Sequence, residues 1–259
     1  VPVHIGGNVR DFVFDTGAAQ FNFVSERFAR ENGIRMIADS IPVAGIGRGW
    51  VGLGVADSLA VGGIVMRNPV FLISPPDQAT DTIEVISAVL GNAFMRKAER
   101  FTIDNRTRHI VFPAERTLHA DGTKRMANMM LNSFQPYVRI HADGIPLLFH
   151  FDTGNVATTL YPPYYELFRE QVDSCGVEDT VRIGGFAGVA ENVCYRLPSV
   201  EFTLEGVPFT LRDIDVLPSG SAGATAGSEA GSLGTDFATA FDTLTVDYTS
   251  CTVLGENVP

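Results

Sequence analysis

Period-two alternation of apolar and polar residues dominates this chain, and helical periodicity is confined to short stretches. VPVHIGG reads as a strand, and so do VFLIS and DIDVLP. RFTIDNRTRHIVF and LTVDYTSCTVL read as hairpins, rich in Val, Ile, Phe and Thr. Two further hairpins carry G-G-N or D-G at the turn and run into an apolar strand ending FDTG, at 14–17 and again at 151–154. A short helix is expected after each. Ser25 is placed to cap SERFAREN, which Gly33 ends, and Pro162 and Pro163 occupy the first turn of YYELFREQ. Glycine-rich hairpins follow, VAGIGRGWVGLGV in the first half and VRIGGFAGVAENV in the second.

The order of elements is the same in both halves because the chain repeats itself. Residues 3–18 align with 140–155 without a gap, at an offset of 137. His4 falls on His141, Gly7 on Gly144, Phe12 on Phe149 and Phe14 on Phe151, and the Asp-Thr-Gly triplets coincide. LGNAFMRKAERFTIDNRTRHIVF at 90–112 falls on LGTDFATAFDTLTVDYTSCTVLG at 233–255, offset 143. The extra residues sit between these anchors, where loops tolerate insertion. The expected fold is therefore mostly β, in two lobes related by a pseudo-twofold axis. The first lobe spans 1–115, a connecting segment 116–131, and the second lobe 132–259.

Composition narrows the function. At 259 residues, 45% hydrophobic and with no apolar run long enough for a membrane span, the chain can bury a real core. The opening VPVHIGG follows no basic, apolar leader, as expected if upstream residues are removed. A net charge of −11 argues against nucleic acid as partner, which needs a basic face. Cys175, Cys194 and Cys251 lack CxxC spacing and the histidines lack helical ligand spacing, so neither metal nor cofactor is expected. The cysteines allow one disulfide, with Cys175 and Cys194 nearest in sequence, or three free thiols in a core.

Asp15 and Asp152 end apolar strands, so both carboxyls are expected in a restricted, half-buried place. If a pseudo-twofold axis brings the two turns together, the carboxylates come within hydrogen-bonding distance. They cannot both ionise there, and the pair holds one proton. One member is then a base for water and the other an acid for a substrate carbonyl, which suffices to hydrolyse an amide without a covalent intermediate.

These features resemble the aspartic proteases of the pepsin–retropepsin clan. Asp15-Thr16-Gly17 and Asp152-Thr153-Gly154 match the family's triplets. Val89-Leu90-Gly91 matches its hydrophobic-hydrophobic-Gly element, and Ser232-Leu233-Gly234 matches with a polar first position. The resemblance implies two closed, barrel-like lobes with the site between them. It implies Asp15 and Asp152 as the catalytic dyad, supported by Thr16, Gly17, Thr153 and Gly154. Ala18 after the first triplet resembles retropepsins, whereas Asn155 departs from the usual Ala, Ser or Thr. Both halves have a glycine-rich hairpin in the flap position, so the description that fits best is a single-chain, duplicated retropepsin-like endopeptidase.

On that resemblance the flap tips are 45–50 and 184–188. The substrate-binding residues are then Ala18, Gly45, Ile46, Gly47, Trp50, Asn155, Gly185 and Phe186. A peptide or protein would be the partner, a monomer the working unit, and export to a periplasmic or extracellular space the expected destination. The blander readings are a peptide-binding module that kept this fold without turnover, and a β-rich interaction or carbohydrate-binding protein whose Asp-Thr-Gly repeats are structural turns. Trp50 could equally be a core residue. His4 and His141 are expected to be locally satisfied strand residues, and Asp104 and Asp247 to be turn formers.

Overall fold

The computed structural model describes residues 1–18, 20–45, 47–75, 87–113, 126–185, 188–221 and 227–257. Ile46 and Phe186 therefore lie outside the described residues, as does most of the segment 116–131. The chain is mostly strand with a few short helices, arranged as the two-lobe acid-protease fold.

The first half forms a four-stranded and a six-stranded sheet, and the second half one eight-stranded sheet. The difference has a local cause. In the second half, strands Gly188–Leu204 and Val207–Val216 run long and pair with each other. In the first half the matching stretch is cut into Gly47–Val55 and Ser58–Val61, then Ile64–Arg67 and Val70–Ser74. The second cut falls at Asn68, whose φ is +51°, followed by Pro69, which has no N–H for a ladder. A bridge between His141 and Thr203 curls the large sheet back on itself. Strand Met129–Asn132 joins that sheet, so the second lobe takes up chain from within the expected connecting segment.

Each lobe buries an aromatic core on the inner face of its strands. Phe14 meets Phe101 edge-on at 4.9 Å, and Phe151 meets Phe237 in the same manner at 5.3 Å. Phe94, Phe101, Phe149, Phe151 and Phe237 are fully buried. Ser25 accepts the Phe28 N–H at 3.2 Å and so caps the helix Glu26–Glu31, which ends at Asn32 before Gly33 turns with φ +70°. Pro162 opens the helix Pro162–Leu167.

A fourth sheet is built from both halves. Strand Arg100–Asp104 pairs antiparallel with Thr243–Asp247. In this register Thr102 stands opposite Thr245, its own counterpart in the repeat, and their hydroxyls hydrogen-bond at 2.8 Å. A residue that faces its own equivalent marks the pseudo-twofold axis. Asp104 and Asp247 both turn the chain: each accepts two backbone N–H groups through Oδ1. Asp247 does more, because the Arg100 guanidinium binds its Oδ2 from the other half at 2.8 and 2.5 Å. Replacing Arg100 with Met leaves this buried carboxylate without its cation, and should lower the unfolding free energy by about 2 kcal/mol in urea titration.

The cysteines are three free thiols: Cys175 is exposed, Cys194 buried and Cys251 half-buried. The disulfide that the sequence allows is not formed, and of the three thiols expected in a core only Cys194 lies in one. No helix among the described residues is long and apolar enough to cross a membrane. Among the same residues, no three acidic, His or Cys side chains cluster as a metal site would require.

Candidate active site

Both Asp-Thr-Gly turns leave a strand that is trapped between neighbours. Val13–Phe14 pairs in parallel with Ala88–Leu90, and Ile145–Phe151 pairs in parallel with Gly231–Leu233. The Asp15 N–H then donates to the Leu90 carbonyl at 3.1 Å, and the Asp152 N–H to Leu233 at 2.9 Å. Gly91 and Gly234 sit directly behind the two loops. A Cβ at Gly91 would collide with the Phe21 carbonyl, and one at Gly234 would lie 2.7 Å from the Ala157 backbone. The leucine-glycine pairs are thus needed for close approach.

The two turns meet across the lobes. Thr16 Oγ1 donates to the Phe151 carbonyl at 2.7 Å and accepts the Thr153 N–H at 3.0 Å. Thr153 Oγ1 donates to the Phe14 carbonyl at 2.6 Å and accepts the Thr16 N–H at 3.0 Å. Each hydroxyl satisfies one backbone donor and one backbone acceptor of the opposite strand end, and Thr16 is fully buried. The network leaves the carboxylates nowhere to go but toward each other. The glycine of each triplet lies against the opposite carboxyl: a Cβ at Gly17 would overlap Asp152, and one at Gly154 would stand 2.8 Å from Asp15.

Asp15 and Asp152 are half-buried and hydrogen-bond to each other. Asp15 Oδ1 accepts the N–H groups of Gly17 and Ala18 at 2.7 and 2.9 Å. Asp152 Oδ1 accepts the Gly154 N–H at 2.9 Å, and its Oδ2 accepts the Asn155 side-chain amide, also at 2.9 Å. Burial first, and then the negative charge of Asp152, push the Asp15 carboxyl up to about 7. Burial also raises Asp152, but there the hydrogen bond from Asp15 and the donors at Gly154 and Asn155 pull the other way. Both carboxyls are thus held above their ordinary range and share a proton, and the side-chain donor from Asn155 favours the charge on Asp152.

Support extends one layer out, through residues that the motif alone does not single out. Asn92 donates to the carbonyls of Thr16 and Ala18 at 2.6 and 2.7 Å, and accepts the Tyr248 hydroxyl from the second half at 2.7 Å. Asn22 accepts the Gly91 N–H at 3.1 Å. In the second half, Asp236 accepts from the N–H and hydroxyl of Thr158, whose oxygen accepts the Gly234 N–H. Gln135, next to the turn of the hairpin 129–142, donates to the Gly17 carbonyl across the lobe boundary. The signal for Asn92 was its place directly after Leu90-Gly91. Gln135 and Tyr248 had none, since each is remote in sequence from the turn that it supports.

The other expected site residues divide. Ala18 and Asn155 flank the carboxyls directly. Gly45 and Gly47 pair at the end of the hairpin 35–55, and Gly185 pairs with Gly188 at the end of the hairpin 177–204. Trp50 stands opposite Pro42 and is 57% exposed, so it is not a core residue. His4 is exposed on a strand paired on both sides, opposite Val9 and Ala60, while His141 is half-buried opposite Pro146.

A raised carboxyl pKa fixes the sign of one pH effect. Between 3.8 and about 7 the folded Asp15 holds a proton that the unfolded chain has released, so folding stability tied to it is complete below 3.8 and is lost as pH rises through about 7. The melting temperature of Asp15→Asn should therefore fall less than that of the parent protein between pH 4 and pH 7. Thr16→Val, which orphans the Phe151 carbonyl and the Thr153 N–H, should cost about 2–4 kcal/mol in chemical denaturation. Thr16→Ser, which keeps the hydroxyl, should cost about 1 kcal/mol.

Residues 1–94 match the family model described as aspartyl protease. No curated protein matches the chain.

Proposed function

Because residues 1–94 of this chain match the aspartyl protease family model, we propose that the protein is an endopeptidase of that kind, hydrolysing peptide bonds between Asp15 and Asp152. The observation that carries the reading is the single-proton carboxyl pair, braced by the reciprocal threonine bonds. Water held between the carboxyls gives a proton to ionised Asp152 as its oxygen attacks the substrate carbonyl carbon. Asp15 gives its proton to the carbonyl oxygen, so charge never builds up on the tetrahedral carbon's oxygens. Asp152 then protonates the amide nitrogen, the C–N bond breaks, and Asp15 recovers a proton from the diol. No covalent bond to the protein forms.

Asn155 fits this division of labour. Its amide donates to the carboxylate that must be charged, so the departure from the usual Ala, Ser or Thr keeps a side-chain donor at this position. The glycine-tipped hairpins 35–55 and 177–204 would act as flaps that add main-chain hydrogen bonds to an extended peptide, with exposed Trp50 on the first. Since one chain carries both carboxyls, a second copy is unnecessary and a monomer is the working unit. Export now rests on the acidic surface, because the thiols are free.

Asp15→Asn and Asp152→Asn should each reduce cleavage of a peptide library at least about 100-fold while circular dichroism is unchanged. Binding of the same peptides without cleavage by the parent protein would point instead to a silent peptide-binding module. The rate should fall about tenfold per pH unit above about 7, where Asp15 loses the shared proton. A rate that keeps rising through pH 8 would overturn the assignment of Asp15 as the acid.

A further inference from the structure

The pseudo-twofold symmetry is broken next to the carboxyl pair, and the break is chemical. On the first lobe, the strands that flank Asp15 present Val13 and Val24. Their counterparts at the repeat offset are His150 and Tyr161. Around these two stand Tyr137, Ser232 and Glu229. Tyr137 pairs with His150 across neighbouring strands, and their rings lie 5.2 Å apart at 33°. Tyr161 hydrogen-bonds Ser232 through its side chain.

Two members of this group lack partners among the described residues. Glu229 is 7% exposed, and no cation among the described residues is seated on its carboxylate. It is pressed against Gly227, where any Cβ would overlap it. Its charge is felt at Tyr137, His150 and Tyr161. The Nε2 of His150 is buried with no partner among the described residues. His150 also feels Asp15, so this ring is within electrostatic reach of both Glu229 and the carboxyl pair. Burial holds the imidazole below its ordinary pKa, which leaves it neutral at neutral pH and unable to serve as the counter-ion of Glu229.

A carboxylate with no cation among the described residues, beside an unpaired ring nitrogen and a tyrosine face, is costly in a closed core. It is well suited to a cleft that receives a donor-rich cation. The guanidinium group meets each requirement: a planar fork for the carboxylate, a further N–H for the neutral ring nitrogen, and a flat face for tyrosine. With a net charge of −11, the protein as a whole also attracts cationic peptides.

We propose that Glu229, His150 and Tyr137 form a subsite beside Asp152 that takes an arginine side chain of the substrate, next to the bond to be cleaved. The proposal rests on the endopeptidase reading but is tested separately from it. Paired fluorogenic peptides are compared that differ in one residue on either side of the scissile bond, arginine against its uncharged isostere citrulline. The parent protein should cleave the arginine member with at least about 10-fold higher kcat/KM at one of the two positions. Glu229→Gln should bring that ratio close to one. Glu229→Asp, which keeps the charge on a shorter stem, should retain part of it. Binding of the same peptides to Asp15→Asn, measured by calorimetry, should show the same preference, again lost when Glu229→Gln is added. Equal treatment of arginine and citrulline by the parent protein, or a ratio unmoved by Glu229→Gln, overturns the subsite. If nothing is cleaved but Asp15→Asn still prefers arginine through Glu229, the endopeptidase reading fails and the subsite stands.

Discussion

Two threonine hydroxyls, one fully buried and one half-buried, hold this molecule together at its centre. Thr16 and Thr153 each bridge to the opposite strand end, one bond given and one taken. All four bonds cross between halves that are 137 residues apart in the chain. Breaking one hydroxyl therefore strands groups on both sides, which is why the lobes cannot drift apart locally. The fixed distance forces two carboxyls into one proton's reach, and the raised affinity for that proton follows from the confinement. The antiparallel sheet shared by the two halves, with Thr102 against Thr245, and the Arg100–Asp247 bridge add further bonds between the halves away from the site.

Symmetry brings the carboxyls together, but a symmetric pair would have no preferred acid. The asymmetry comes from neighbours. Asn155 adds a side-chain donor to Asp152 where Ala18 offers Asp15 its backbone N–H. That bias selects which carboxyl is charged. The same lobe replaces Val13 and Val24 with His150 and Tyr161 and buries Glu229 nearby. Beside the carboxyls, equivalent positions are thus apolar in one half and polar in the other. In a duplicated chain, such divergence is where the two ends of a directional substrate can be told apart.

Much of the fold was legible beforehand, because its elements are local. Period-two patterning marks strands, Gly-Gly-Asn and Asp-Gly mark hairpin turns, and Ser25 and Pro162 mark helix starts. The pairing of Asp15 with Asp152 was also legible, since a gapless internal repeat implies an axis, and equivalent residues near an axis meet. Asn92 was half legible, lying next to a recognisable leucine-glycine pair. Gln135 and Tyr248 were not, since they reach their partners only after distant strands have paired. Cysteine spacing could not decide between disulfide and thiols, because that depends on whether the side chains meet.

By itself, then, the sequence determined a duplicated β architecture, a pair of Asp-Thr-Gly turns and the identity of the residues that follow them. Local propensity and repetition are properties of the chain, so they can be read along it. Tertiary structure decided that the two carboxyls share a proton, which distant side chains brace the turns, and that Glu229 and His150 stand near them without a cation or a ring-nitrogen partner among the described residues. Burial, hydrogen bonding and charge are properties of neighbours in space, and those neighbours exist only once the two halves have closed on each other.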